Sequence, residues 1–283
     1  MPTSADPKAE SRRLGLDLLF HEAQENERTT TETEPVKGAI NYPAGWTTGE
    51  PYPIEWRDLV RLYAVLRYRR VTTVLEFGCG YSTAVIARAL EMNELEFGDN
   101  VQSSLRRSAP FRVFVVDGLP QYIDIARRRL SDDANSRVNF LQSDIRMTTF
   151  LGRICTEYAL LPNVVPDFIY LDGPDQHEVQ GDVNGISTRN FDRWPLACDI
   201  LKIEHFLLPG TLVVSDGRTA NVRFLLANFQ RNWRHEHDVE GDVHFLELID
   251  EPLGQWNQRH VEFCLGPGWQ DRPLIPDSSQ IAR

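Results

Sequence analysis

Between residues 73 and 217 the chain alternates short apolar, β-rich runs with stretches of helical period, and that alternation leaves few folds open. The runs are "TVLEFG", "FRVFVVDG", "VNFLQSD", "DFIYLDG" and "GTLVVSDG". Helices are expected from about Ser82 to Leu90, over "QYIDIARRRL", within "RWPLACDILKIEHFL" and over "NVRFLLANFQRNW". Strands joined through helices need right-handed crossovers, which set the strands parallel and cover both faces of the sheet. Further on, "DVHFLELID" and "HVEFCLG" are joined only by "EPLGQWNQR", so they are expected to pair as an antiparallel hairpin. The expectation is an α/β fold: a doubly wound, Rossmann-like, seven-stranded, mostly parallel sheet with one antiparallel strand and helices on both faces.

The domain is expected to span residues 55–270, opening with an apolar helical stripe from Glu55 to Arg70. Residues 1–54 form an N-terminal arm: a short helical pattern from Leu14 to Phe20, the polar run "QENERTTTETEP", then the ordered-loop composition of "INYPAGWTTGEPYP". Its aromatics Tyr42, Trp46 and Tyr52 have two readings, a lid lining the substrate pocket or a surface packed on the sheet or on a second subunit of a homodimer. Residues 271–283 are a C-terminal tail.

Composition removes several function classes. With 30 basic against 41 acidic residues the net charge is −11, so the footprint that phosphate backbones attract is missing and no nucleic-acid partner is expected. No run of ~18 apolar residues is present and no signal-peptide core opens the chain, so neither a membrane span nor export is expected. Cys79, Cys155, Cys198 and Cys264 are scattered without a CxxC pair, which points to a reducing cytoplasm and away from zinc or a disulfide framework.

Function is written at the first strand-to-helix turn, "VLEFGCGYST", Val74 to Thr83. In a parallel α/β sheet ligands settle at the carboxyl ends of the strands, where the strand order reverses. Gly78 and Gly80 permit a tight turn and close approach of a ligand to the backbone. Glu76 would repel a pyrophosphate and favours a cationic or hydroxyl-bearing ligand. The dinucleotide pattern G-x-G-x-x-G needs glycine where Thr83 stands, so a nicotinamide oxidoreductase is disfavoured. Each later run ends in a carboxylate on the same rim: Asp117, Asp144, Asp172 and Asp216.

These residues resemble the class I S-adenosylmethionine-dependent methyltransferases, whose first motif is similar to "VLEFGCGYST"; the resemblance covers about residues 55 to 266. It implies that S-adenosylmethionine lies over Gly78, Gly80, Tyr81, Ser82 and Thr83, with Glu76 orienting the loop. It also implies that Asp117 holds the ribose hydroxyls and that Ser143 and Asp144 flank the adenine. The spacing from Gly80 to Asp117 exceeds the ~20 residues usual in dinucleotide folds, and the excess is assigned to a polar insertion, "EFGDNVQSSLRRSAP".

Methyl transfer from a sulfonium, the chemistry the resemblance implies, needs an aligned acceptor and a group that takes its proton. Asp172 is placed to meet both cofactor and substrate. His177 is the candidate base, its alternative a solvent-facing loop histidine. Catechol-type O-methyltransferases bind Mg²⁺ through an Asp and an Asp-Asn pair; here Asp172 and Asp216 are available, but Gly217 replaces the Asn, with Asn221 nearby. The expected activity is O-methylation of a small hydroxylated metabolite, with a non-catalytic S-adenosylmethionine- or nucleoside-binding protein as the alternative.

Overall fold

Side-chain alternation along the central strands sorts the core into two layers. In the computed structural model, which describes residues 6–19, 54–190 and 192–274, Val74, Val113, Val115, Phe168, Tyr170, Val214 and Phe245 face one layer. Leu75, Phe77, Val116, Ile169, Leu171, Val213 and Leu246 face the other. Burying each large apolar side chain contributes about 1.5–3 kcal/mol, so a one-residue slip of any central strand would forfeit a whole layer.

The sheet has seven strands: β1 (Thr73–Phe77), β2 (Arg112–Asp117), β3 (Val138–Gln142), β6 (Phe168–Leu171), β7 (Leu212–Asp216), β8 (Trp233–Asp238) and β9 (Val243–Leu248). Their order is β3-β2-β1-β6-β7-β9-β8, and every pairing is parallel except those of β9, which is antiparallel to β7 and β8. Helices α1 (Pro7–Arg13), α2 (Trp56–Tyr68) and α3 (Tyr81–Ser104) precede or follow β1. Residues Leu62, Leu66, Val85, Ile86 and Leu90 of α2 and α3 cover the first layer. Helices α4 (Pro120–Arg128) and α5 (Asp132–Arg137) link β2 to β3. On the other face, Ile200 and Leu201 of α6 (Asp199–Ile203) and Val222 and Leu225 of α7 (Thr219–Leu226) cover the second layer. Strand order reverses between β1 and β6, so the carboxyl ends of those two strands flank a crevice. Among the described residues no helix is long and apolar enough to cross a membrane.

Three local expectations are corrected. "HVEFCLG" is not a strand: it belongs to α8 (Gly254–Cys264), where Asn257, His260, Val261 and Cys264 are buried at helical spacing. The reversed strand is β9, and its hairpin partner is β8, which begins at Trp233, the last residue of the stretch expected to be helical. The first part of the polar insertion before β2, up to Ser104, is a continuation of α3, which runs 24 residues. Asn93 holds that continuation against the end of α2 by donating to the carbonyls of Leu66 and Val71.

A two-stranded sheet escaped the sequence reading. Strands β4 (Ile145–Phe150) and β5 (Arg153–Tyr158) pair antiparallel through Leu151 and Gly152, both with positive φ (48° and 77°), as a two-residue hairpin turn requires. Leucine at such a position carries no turn signal. The arm aromatics Tyr42, Trp46 and Tyr52 lie outside the described residues.

Candidate functional site

Two glycine turns meet at the switch point. Gly78 adopts φ +86°, and a Cβ there would lie 3.1 Å from the Asp172 carbonyl carbon and oxygen. At Gly173 a Cβ would lie 2.6 Å from Tyr158 Oη and 2.8 Å from Gly78 N. The loops after β1 and β6 therefore touch backbone to backbone, as close approach through glycine allows.

Glu76 lies beneath the first loop, fully buried. Its carboxylate accepts from Ser82 Oγ at 2.5 Å and Thr83 Oγ1 at 2.8 Å, tying the first turn of α3 to β1. Burial pushes its pKa up to about 8, with the Asp172 and Asp117 charges adding to the rise and the two hydroxyls opposing it. Asp117, at the end of β2, accepts from the backbone N–H groups of Cys79 (3.0 Å) and Leu119 (2.8 Å). Burial raises its pKa too, against those bonds. The Cys79 thiol is driven well above its ordinary range by burial and then by Asp117, so it is not a thiolate nucleophile.

The crevice is a cavity of about 340 Å³. Seven of the described residues lining it are carboxylates (Glu55, Asp58, Asp117, Asp172, Asp175, Glu178 and Asp216), against two arginines, Arg129 and Arg218. Glu178 is pushed up to about 8 by burial, then by Asp117 and Asp175. Asp216 is raised to about 7 by burial and then by Asp58. So many carboxylates in one crevice suit a cationic ligand and repel a polyphosphate. Tyr158 Oη is buried and has no hydrogen-bond partner among the described residues, and its residue lines the same cavity, which leaves a donor for a ligand.

Of the residues singled out by sequence, Gly78, Gly80, Tyr81, Ser82, Asp117, Asp172 and Asp216 line the cavity. Glu76 and Thr83 support it from below. Ser143, Asp144 and His177 do not line it. The Ser143 hydroxyl accepts from Leu160 N at 2.8 Å, Asp144 is solvent-exposed, and the His177 backbone N–H donates to Asp175. Sequence reasoning did not single out Tyr158, Arg129 or Asp58. Arg129 belongs to the "RRRL" run, which offers a surface patch to the eye; instead it is buried, its guanidinium 3.7 Å from the Tyr81 ring centroid. Asp58 shows only as a carboxylate in the first turn of α2.

Asp172 and Asp216 do not make a fitting divalent-cation site. Asp216 lies 3.4 Å from Nη2 of the buried Arg61, which Asp58 also pairs at 2.7 Å. Asp172 Oδ1 lies 3.8 Å from Arg218 Nε. Asn221 spends both ends of its amide on Ala197. Each carboxylate already has a cation, and the third oxygen donor is turned away.

A glycine loop after β1, a carboxylate closing β2 and one reversed strand near the sheet edge are now together on one chain. The fold is Rossmann-like, a doubly wound and mostly parallel seven-stranded sheet. No protein-family model and no curated protein matches the sequence. Among solved structures the chain is similar to cofactor-bound Rv0187 from MTB, at 14% identity and TM-score 0.45, covering 89% of this chain and 100% of that one. It is similar to the O-methyltransferase from Bacillus cereus in complex with SAH, at 16% identity and TM-score 0.41, covering 82% and 90%. It is also similar to the O-methyltransferase TomG from Streptomyces achromogenes in complex with SAM, at 15% identity and TM-score 0.40, covering 82% and 90%. What the cavity can bind follows from its own residues.

Proposed function

We propose that this protein is an S-adenosylmethionine-dependent methyltransferase acting on a hydroxyl of a small molecule. The observation that carries the proposal is the acidic cavity built on two touching glycine turns, with the Tyr158 hydroxyl beside it, unpartnered among the described residues. A sulfonium and an ammonium on one ligand match that charge, and a dinucleotide pyrophosphate does not.

When bound, the cofactor supplies an electrophilic methyl group; the protein's part is to position, desolvate and move a proton. The Cys79–Gly80 backbone and Tyr81 form the floor for the ligand, held from β2 by Asp117 and from β1 by Glu76. Asp117 has acceptor capacity left for hydroxyl donors. Asp172 lies beside Arg218 and Asp216 beside Arg61, and both line the cavity with Asp58 and Tyr170. An acceptor hydroxyl there would give its proton to Asp216, whose raised pKa suits a base working near neutral pH. No step is assigned to a metal ion.

The reading is tested by titrating S-adenosylmethionine calorimetrically into the purified chain, followed by methyl transfer to a panel of small phenols and catechols. Micromolar binding and transfer to at least one hydroxyl are expected. Absence of heat and of any thermal shift would end the cofactor reading. Binding without transfer to any acceptor would favour the non-catalytic alternative.

A further inference from the structure

A second polar cluster lies at the opposite end of the sheet, and the proposed reaction makes no use of it. Asp167 immediately precedes β6, while His260 and Cys264 stand four residues apart on α8, one turn apart on the same face. All three are buried. One donor atom from each lies within 4.8 Å of the other two. His260 Nε2 is 3.3 Å from Asp167 Oδ2 and 3.6 Å from Cys264 Sγ.

The 3.3 Å N···O separation is long for an N–H···O bond of about 2.7–3.2 Å, and a single Nε2–H cannot point at both Asp167 and Cys264. The two separations match the edges of a tetrahedron around zinc. With Zn–N about 2.0–2.1 Å, Zn–O about 2.0–2.2 Å and Zn–S about 2.3 Å, the N···O edge is about 3.3 Å and the N···S edge about 3.6 Å. All three residues bound a void of about 10 Å³, roughly the space one water-sized sphere occupies. The Arg70 carbonyl oxygen accepts from the Cys264 thiol at 3.6 Å.

We propose that Asp167, His260 and Cys264 form a structural zinc site that fastens α8 to the amino ends of β1 and β6. Thiolate and imidazole together select a borderline-soft divalent ion over Mg²⁺ or Ca²⁺, which take oxygen donors. Asp167 is oriented for this by Thr72 N (2.9 Å) and Thr72 Oγ1 (2.7 Å) on Oδ2 and Thr73 N (2.7 Å) on Oδ1, the outer bonds that position a ligating carboxylate. Arg107 stands 3.9 Å from Oδ1, and Oδ2, beside its two bonds from Thr72, is the oxygen that faces His260, at 3.3 Å. On binding, the Cys264 thiol releases its proton to solvent, and His260 ligates through Nε2 with its remaining proton on Nδ1. The scattered cysteines gave no sign of zinc in sequence, because the third ligand comes from a different strand end.

The test loads the full chain with Co²⁺ in place of Zn²⁺. One equivalent per chain is expected, with a thiolate-to-cobalt charge-transfer band and the intense visible bands of a tetrahedral ion; Zn²⁺ should displace it and raise Tm. Cys264→Ser should abolish the charge-transfer band, and His260→Gln should weaken binding at least tenfold, with folding checked by circular dichroism. A His235→Ala/His237→Ala double variant removes the exposed imidazoles of β8 and should leave stoichiometry and spectrum unchanged. The proposal is overturned if the wild type shows no charge-transfer band at stoichiometric cobalt, if Cys264→Ser retains it, or if the double variant loses it. The wild-type spectrum decides even where a variant fails to fold, and none of these readouts depends on what the cavity at the other end binds.

Discussion

Asp117 accepts a hydrogen bond from the Cys79 backbone N–H at 3.0 Å, so the end of β2 holds the glycine loop that follows β1. One side chain thus joins the two strands whose carboxyl ends floor the cavity. Asp117→Ala would leave the Cys79 and Leu119 N–H groups without acceptors, at about 1–3 kcal/mol each where water cannot reach. A lower Tm is expected, together with at least a tenfold loss of S-adenosylmethionine affinity by calorimetry. Unchanged affinity in a folded variant would remove Asp117 from the ligand site.

Tyr158 Oη has no hydrogen-bond partner among the described residues, so removing it should cost the fold little. Tyr158→Phe is expected to match or exceed the wild type in urea midpoint while binding S-adenosylmethionine roughly three- to tenfold more weakly, the value of one net hydrogen bond. If affinity stays the same, the hydroxyl does not reach the ligand.

Glu76 makes stability depend on pH. Its pKa rises from an ordinary 4.5 to about 8 on folding, chiefly through burial, so over that interval the folded state holds a proton that the unfolded chain has released. Stability from this group is complete below pH 4.5 and is lost as pH climbs to about 8. Glu76→Gln removes the titration. The unfolding free energy of the wild type in urea should therefore fall, relative to that of the variant, between about pH 5 and pH 8, by on the order of a few kcal/mol. Parallel curves would refute the shift.

Gly173 has no room for a methyl group: Tyr158 Oη and the Gly78 backbone would both stand under 3.0 Å from it. Gly173→Ala should push the two glycine turns apart, costing roughly 1–3 kcal/mol in thermal unfolding. Ligand heat should disappear while far-ultraviolet circular dichroism stays native. Full retention of binding would mean that the turn contact does not shape the site.

Asp216, raised to about 7, is the proposed base. A base must be ionised to act, so kcat/KM for any accepted hydroxyl should climb with pH through about 7 and level off above it. Asp216→Asn should lower kcat by 10²–10⁴-fold and erase that limb. A pH profile that survives the substitution assigns the proton transfer elsewhere.

Sequence alone determined the parallel framework and the rim it carries. Residue alternation, helical period and glycine are local properties, so β1, β2, β6 and β7 were legible, and with them Glu76, Gly78, Asp117, Asp172 and Asp216. Short segments outside those elements were less legible: "HVEFC" has the composition of a strand, and only its burial at Asn257, His260, Val261 and Cys264 makes it a helix. Tertiary structure decided which side chains meet. Tyr158 reaches the cavity from a hairpin that a leucine-glycine turn conceals. Arg61 pairs with Asp216 across 155 positions of chain, and His260 meets Asp167 from another element altogether. A side chain's neighbours in space are chosen by how helices cross the sheet, and a carboxylate's charge, partner and pKa follow from those neighbours rather than from the residues beside it in sequence.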